Sequence, residues 1–183
     1  MNIPNLLTLL RLVLIPVCVI VYYVPEGWAY LTAAILFTIA AVTDWFDGYL
    51  ARKLGQTTPF GAFLDPVADK LIVAAALVVL VESHSTVWLT IPAVIIIGRE
   101  IVISALREWM AEVGKRSSVA VNMIGKVKTT VQMVAIGVLL SQSPDNETLL
   151  STVGLVALQV AAVLTLWSMI VYLKAAWVEL KPK

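Results

Sequence analysis

Apolar side chains along this chain gather into six long runs, and the breaks between them are short. The first run, Leu12 to Val24, follows Asn2, Pro4, Asn5, Thr8 and Arg11 set among leucines. Asn caps a helix and Pro fits its first turn, so residues 2–11 read as a helix start. They also read as a short interfacial helix over the mouth of a site. Pro25 to Trp28 is a turn, and the second run is roughly Ala29 to Tyr49. Residues 50–60 read as a polar loop with Arg52, Lys53 and Pro59. The third run is Gly61 to Val81, a turn follows at Glu82 to Thr86, and the fourth is Val87 to Arg107. Residues 108–121 are the most polar stretch. The fifth run is Asn122 to Leu140, Ser141 to Glu147 is a turn, and the sixth run, Leu149 to Leu173, precedes a short basic tail. Runs of about 20 apolar residues suit helices that cross a bilayer. No internal repeat is visible.

Composition points the same way. The chain has 183 residues, 60% hydrophobic and 14% charged, whereas a soluble domain is closer to a quarter charged. The expectation is an all-α integral membrane protein. It has six transmembrane helices, a short N-terminal interfacial helix and a single domain over residues 1–183. A net charge of +1 gives no reason to expect a nucleic-acid partner. Cys18 is the only cysteine, so it forms no intrachain disulfide and reads as packing. The first run has no clear small-x-small cleavage site, so it reads as a retained helix.

Charge then orients the helices. All 13 basic residues fall at four places: Arg11; Arg52, Lys53 and Lys70; Arg99 through Lys128; and Lys174, Lys181 and Lys183. With six spans these places share one side. The opposite turns hold Glu26, Glu82, Asp145 and Glu147 and no Lys or Arg. The positive-inside rule puts the basic side, with both termini, in the cytoplasm. A bacterial inner membrane is the expected location.

Four acids break into the apolar pattern on that side. Asp44, Asp47, Asp65 and Asp69 lie within 26 residues. Acids at the edge of a hydrocarbon layer are costly and usually functional. Asp44 and Asp47 are three apart and share a helical face, while Gly61, Asp65 and Asp69 are four apart along one stripe. Four carboxylates brought together repel unless cations neutralise them. Two divalent ions balance the charge, and all-oxygen ligation suits Mg²⁺ or Mn²⁺ rather than Zn²⁺. The same acids would also suit an ion-pair network with Arg52, Lys53 and Lys70, or a cation pathway. Their place at the ends of two spans, not strung across the bilayer, favours an enzyme that joins a lipid to a water-soluble partner.

The pattern Asp44-x-x-Asp47-Gly48-x-x-Ala51-Arg52, eight residues, then Gly61-x-x-x-Asp65-x-x-x-Asp69 resembles the signature of the CDP-alcohol phosphotransferases. All its defining positions are present. The start Asn2 to Arg11, the stretch Arg99 to Trp109 and Gly125 to Thr130 also resemble bacterial members that use glycerol 3-phosphate. The resemblance implies transfer of the phosphatidyl group from CDP-diacylglycerol to sn-glycerol 3-phosphate, giving phosphatidylglycerophosphate and CMP. It implies two metal ions, held by Asp44, Asp47, Asp65 and Asp69, and a homodimer. Asp69, last in the stripe, is the candidate catalytic base for the attacking hydroxyl. Another acceptor alcohol, such as serine, inositol or phosphatidylglycerol, remains open. A cation transporter is the alternative outside the family.

The remaining candidates each have a plainer role beside the functional one. Gly48, Ala51 and Gly61 are small enough for close helix packing, or leave room for a nucleotide. Arg52 is an interface anchor, or a contact to a nucleotide phosphate. Thr58 is a loop hydroxyl, with a nucleotide contact implied by the resemblance. Pro4 and Asn5 are helix-start residues that can line the CDP-diacylglycerol pocket. Arg99 and Arg107, eight apart on one helical face, and Lys126 and Lys128 are positive-inside charge. They also make a candidate pocket for the acceptor's phosphate. Arg99 sits two turns inside its span, where Glu100 or a substrate would accompany it. His84 lies in an outward turn, away from the acids.

Overall fold

In the computed structural model the chain is described over residues 3–54, 59–114, 123–146 and 148–180. Of residues 3, 4, 44–54, 59, 62, 123–126 and 178–180 the backbone alone is described. Among the described residues the regular elements are six helices: α1 (Ile3–Tyr22), α2 (Trp28–Leu54), α3 (Pro59–His84), α4 (Val87–Glu112), α5 (Met123–Leu140) and α6 (Leu149–Leu180). Three of them carry long apolar windows, Asn5–Tyr22, Val87–Glu112 and Leu149–Trp177, and α2 and α5 carry shorter ones, Trp28–Thr43 and Val127–Leu140. The protein is an all-α membrane protein. Leu31, Val78, Val94, Val163 and Trp167 stand exposed on its flanks, where lipid tails would cover them.

The centre is packed by small residues. Ala33, Ala40, Ala68, Ala135 and Ala161 are fully buried, with Phe37, Leu77, Leu80, Ile136 and Leu158 between them. Small side chains let backbones approach where no hydrophobic force drives helices together. Gly154 shows how close: a Cβ there would meet Val138 Cγ1 and Leu139 Cγ at 3.0 Å. The α3 helix packs against α1, α2, α4 and α5. Helix α3 thus runs through the middle of the bundle.

Helices α1 and α3 run parallel. Thr8 bonds Asp65 at one end. At the other, the Tyr22 and Ser83 hydroxyls are 3.0 Å apart, and Tyr23 donates to Glu82 at 2.7 Å. Gln159 of α6 donates to the Trp88 carbonyl near that same far end. His84 is there too, bonded to the Leu80 carbonyl. Among the described side chains, Asp65 lies at the opposite end with Thr8, and Asp69, Lys70 and Arg99 line one cleft.

Several helices run past the boundaries read from sequence. Residues 3–11 do not form a separate interfacial helix; they are the first turns of α1. The loop expected over 50–60 is largely helical, since α2 continues to Leu54 and α3 begins at Pro59. Helix α4 runs on to Glu112 and α6 to Leu180. Polarity marks where a helix leaves the membrane, not where it stops. Ala51, Arg52, Lys53 and Leu54 are all good helix formers. Pro59 opens α3 where a missing N–H costs nothing. Pro16, Pro66 and Pro92 lie inside α1, α3 and α4, which packed membrane helices tolerate.

Candidate active site

The site grows from the first turns of α3. Asp65 and Asp69 are one turn apart on it, about 6 Å along the axis. Gly61, one turn earlier, is buried, Asp65 is half-buried and Asp69 is exposed. Asp65 does not stand alone. Thr8 of α1, fully buried, donates its hydroxyl hydrogen to Asp65 Oδ1 at 2.6 Å. Arg11, three residues on along α1, is also fully buried. Its guanidinium thus sits about one turn from the Thr8 that meets Asp65. Asn5 is half-buried in the same first turns of α1.

The other two acids ride on the C-terminal part of α2. Its backbone is helical through Asp44, Asp47, Gly48 and Arg52, and α2 packs on α3. The side chains of Pro4, Asp44, Asp47, Gly48, Arg52 and Lys126 and the whole of Thr58 lie outside the described residues. Among the described residues no three His, Cys, Asp or Glu side chains gather into a metal site.

Beyond Asp69 the stripe opens into a cleft of about 130 Å³ lined by Asp69, Lys70, Val73, Arg99, Glu100, Thr129, Gln132 and Met133. Arg99 and Glu100 of this lining form a charge cluster with the buried Lys128. Arg99 Nη1 donates to Glu100 Oε1 at 2.6 Å, and Lys128 Nζ reaches the same oxygen at 3.5 Å. Arg99 and Lys128 are only 8% and 3% exposed, so both depend on that carboxylate for compensation. Arg99 Nε is buried with no hydrogen-bond partner among the described residues. With Asp69 and Lys70 of the lining counted as well, three cations stand against two carboxylates, a surplus of one that favours an anion in the cleft.

Three of the four residues expected to hold the acceptor's phosphate are described. Arg99 and Lys128 meet at Glu100. Arg107 is exposed and joins Arg99 through Tyr172 of α6: the two guanidinium carbons lie 5.8 and 5.7 Å from its ring centroid. The expected partner for Arg99, Glu100, is the observed one. Thr8, Thr129, Gln132 and Tyr172 were not expected. Thr8 stood out in sequence only as a polar residue among leucines. Gln132 in an apolar run was the visible signal for the cleft, since a buried amide needs a reason.

The chain belongs to the CDP-alcohol phosphatidyltransferase family, whose model matches residues 1–173. It is similar to proteins named CDP-diacylglycerol–glycerol-3-phosphate 3-phosphatidyltransferase in several bacteria. It is 61% identical to the one from Sodalis glossinidius, over 96% of this chain and 95% of that one. The Pectobacterium atrosepticum protein is 60% identical over 96% and 94%. The Shigella flexneri serotype 5b protein is 59% identical over 98% and 97%.

Proposed function

We propose that this protein transfers the phosphatidyl group of CDP-diacylglycerol to sn-glycerol 3-phosphate, releasing CMP and forming phosphatidylglycerophosphate. The observation that carries the reading is the meeting of an acidic stripe and a cationic cleft at Asp69. One supplies ligands for a diphosphate's counter-ions, and the other attracts a small anionic acceptor. Near-complete identity in length with relatives that bear this activity's name supports the same reaction.

In the reaction a hydroxyl of glycerol 3-phosphate attacks the phosphorus that carries the diacylglycerol. The bond from that phosphorus to the CMP oxygen breaks, and CMP leaves. Asp69, at the junction of stripe and cleft, accepts the hydroxyl's proton. Arg99, Arg107, Lys126 and Lys128 orient the acceptor through its phosphate. Pro4, Asn5, Gly48, Arg52, Thr58 and Gly61 border the nucleotide and diphosphate. The all-carboxylate donors Asp44, Asp47, Asp65 and Asp69 fit two Mg²⁺ or Mn²⁺ ions. Thr8 fits this too, because a donor on one Asp65 oxygen leaves the other for a ligand. Bound there, the ions would neutralise the diphosphate and the leaving CMP.

The basic end faces the cytoplasm of a bacterial inner membrane in this reading, and two copies form a homodimer. Cross-linking of the purified protein in vesicles checks the dimer. Release of CMP from CDP-diacylglycerol, measured with a panel of alcohols with and without Mg²⁺, tests the function. Turnover with glycerol 3-phosphate and not with serine or inositol is the expected result. Release with serine or inositol alone would reject it.

A further inference from the structure

Arg99 and Arg107 sit eight residues apart on α4, about 12 Å along its axis. A single aromatic ring lies within 5.8 Å of both guanidinium carbons, that of Tyr172 on α6. The one ring therefore contacts both cations, although their backbone positions are about two turns apart. Tyr172 is buried, and α6 packs along α4. Arg99 has its Nη1 on Glu100, so the ring fixes the rest of its guanidinium. Arg107 is exposed, and its contact with the ring ties its long side chain to the same aromatic group as Arg99, which lines the cleft. The groups around the ring are the two arginines and, through Glu100, Lys128. Three like charges in one corner repel, and an aromatic face offers them attraction without a negative charge that a phosphate would have to displace.

We propose that Tyr172 is a positioning residue for the acceptor's phosphate, holding Arg99 and Arg107 on one ring so that both can serve one anion. This rests on the reading of the cationic cleft as the acceptor site. The π face supplies the hold, and the hydroxyl contributes nothing needed. Leucine fills much of the same volume without a π face, so the arginines lose their orientation while the helices stay packed. Each cation–π contact is of modest strength, and losing two corresponds to roughly a tenfold weaker hold on the acceptor.

The test uses the full chain in detergent–lipid micelles with CDP-diacylglycerol and glycerol 3-phosphate. Tyr172→Leu raises the KM for glycerol 3-phosphate by about tenfold and leaves the KM for CDP-diacylglycerol within about twofold. Tyr172→Phe keeps the ring and restores the acceptor KM to within about twofold of the parent. The double variant Arg107→Gln with Tyr172→Leu is no worse than Arg107→Gln alone by more than about threefold, because the two act as a unit. Arg107→Gln reports on the underlying site. If it leaves the acceptor KM unchanged, the site reading fails. If it raises that KM while Tyr172→Leu does not, the role of Tyr172 alone fails. Equal rises for both substrates, or a raised acceptor KM in Tyr172→Phe, overturn the positioning role as well. Should Tyr172→Leu melt early, Tyr172→Met is read by the same criteria, and the Tyr172→Phe result stands regardless.

Discussion

The hydroxyl of Thr8 donates to Asp65 Oδ1 at 2.6 Å, joining residues 57 positions apart. The bond locks the first helix onto the acidic stripe. It also spends one oxygen of a candidate metal ligand on orientation, as outer groups do in metal sites. Replacing Thr8 by Val removes the donor and keeps the shape. A hydrogen bond to a charged group contributes about 1.5–3 kcal/mol, so kcat/KM should fall roughly tenfold to a hundredfold. Thr8→Ser should recover most of it. The apparent Mg²⁺ requirement, read from a metal titration of activity, should rise for Thr8→Val and not for Thr8→Ser.

Removing a ligand outright should do more. Asp65→Asn keeps the size and loses the charge, so turnover should drop by more than about a thousandfold, as when a group acting in a catalytic unit is lost. Asp69→Asn should be as severe because it removes the proposed proton acceptor. A chelator should silence the parent enzyme, and Mg²⁺ or Mn²⁺ should restore it. Full turnover in a chelator-treated, metal-free sample would defeat the two-metal reading. CMP release is the assay for all of these.

The sequence made the acids legible because their logic is local. Spacings of three and four place Asp44 with Asp47 and Asp65 with Asp69 on single faces, whatever the helices pack against. The helix count followed from apolar runs for the same reason. Helix ends were misjudged at 50–54, 108–112 and 174–180, where polar side chains coincide with good helix formers. What pairs across helices was not visible. Nothing near Thr8 announces Asp65, and Tyr172 in its apolar run resembles an ordinary interfacial aromatic. Those contacts depend on how α1, α3, α4 and α6 meet, and that is a property of packing.

Glu100 compensates both Arg99 and Lys128. Glu100→Gln leaves two nearly buried cations without a counter-charge, a loss of about 3–5 kcal/mol where burial is complete and less here because Glu100 is partly exposed. The variant should melt earlier. Glycerol 3-phosphate supplies a replacement anion, so it should raise the melting temperature of Glu100→Gln more than that of the parent. Thermal unfolding in detergent, with the ligand at matched concentrations, checks both effects. Equal ligand shifts would mean the phosphate does not meet this cluster.

The contact of α6 with α5 at Gly154 leaves no room for a side chain, since a Cβ already meets Val138 and Leu139 at 3.0 Å. Gly154→Leu should destabilise by about 1–3 kcal/mol, the usual cost of overpacking. Gly154→Ala asks the two neighbours to move by only a few tenths of an ångström and should cost much less. Gly154 lies toward the end away from the acids, so the KM values of any folded fraction should not change. Loss of melting temperature with unchanged KM is the expected pattern.

Orientation can be tested without any turnover. Thr8 and Asp65 mark one end of the bundle, and Tyr23 and Glu82 mark the other. Helix order then places Glu112, at the end of α4, on the acidic side, with Ser85 and Asp145 on the far side. All three are exposed, so a thiol there would react. The native thiol offers a quiet background, because Cys18 is buried and donates to the Ala33 carbonyl at 3.3 Å, a bond that Cys18→Ser can keep. The 13 basic residues favour the acidic side as cytoplasmic, and reversing that bias would oppose insertion. In whole cells, Glu112→Cys should resist a membrane-impermeant maleimide until the membrane is opened. Ser85→Cys and Asp145→Cys should react from outside at once. Labelling of Glu112→Cys and Ser85→Cys from the same side would break the six-helix order. A clean reversal of all three would keep the fold and move the active site to the outer face, where CDP-diacylglycerol made inside the cell could not reach it without crossing the bilayer.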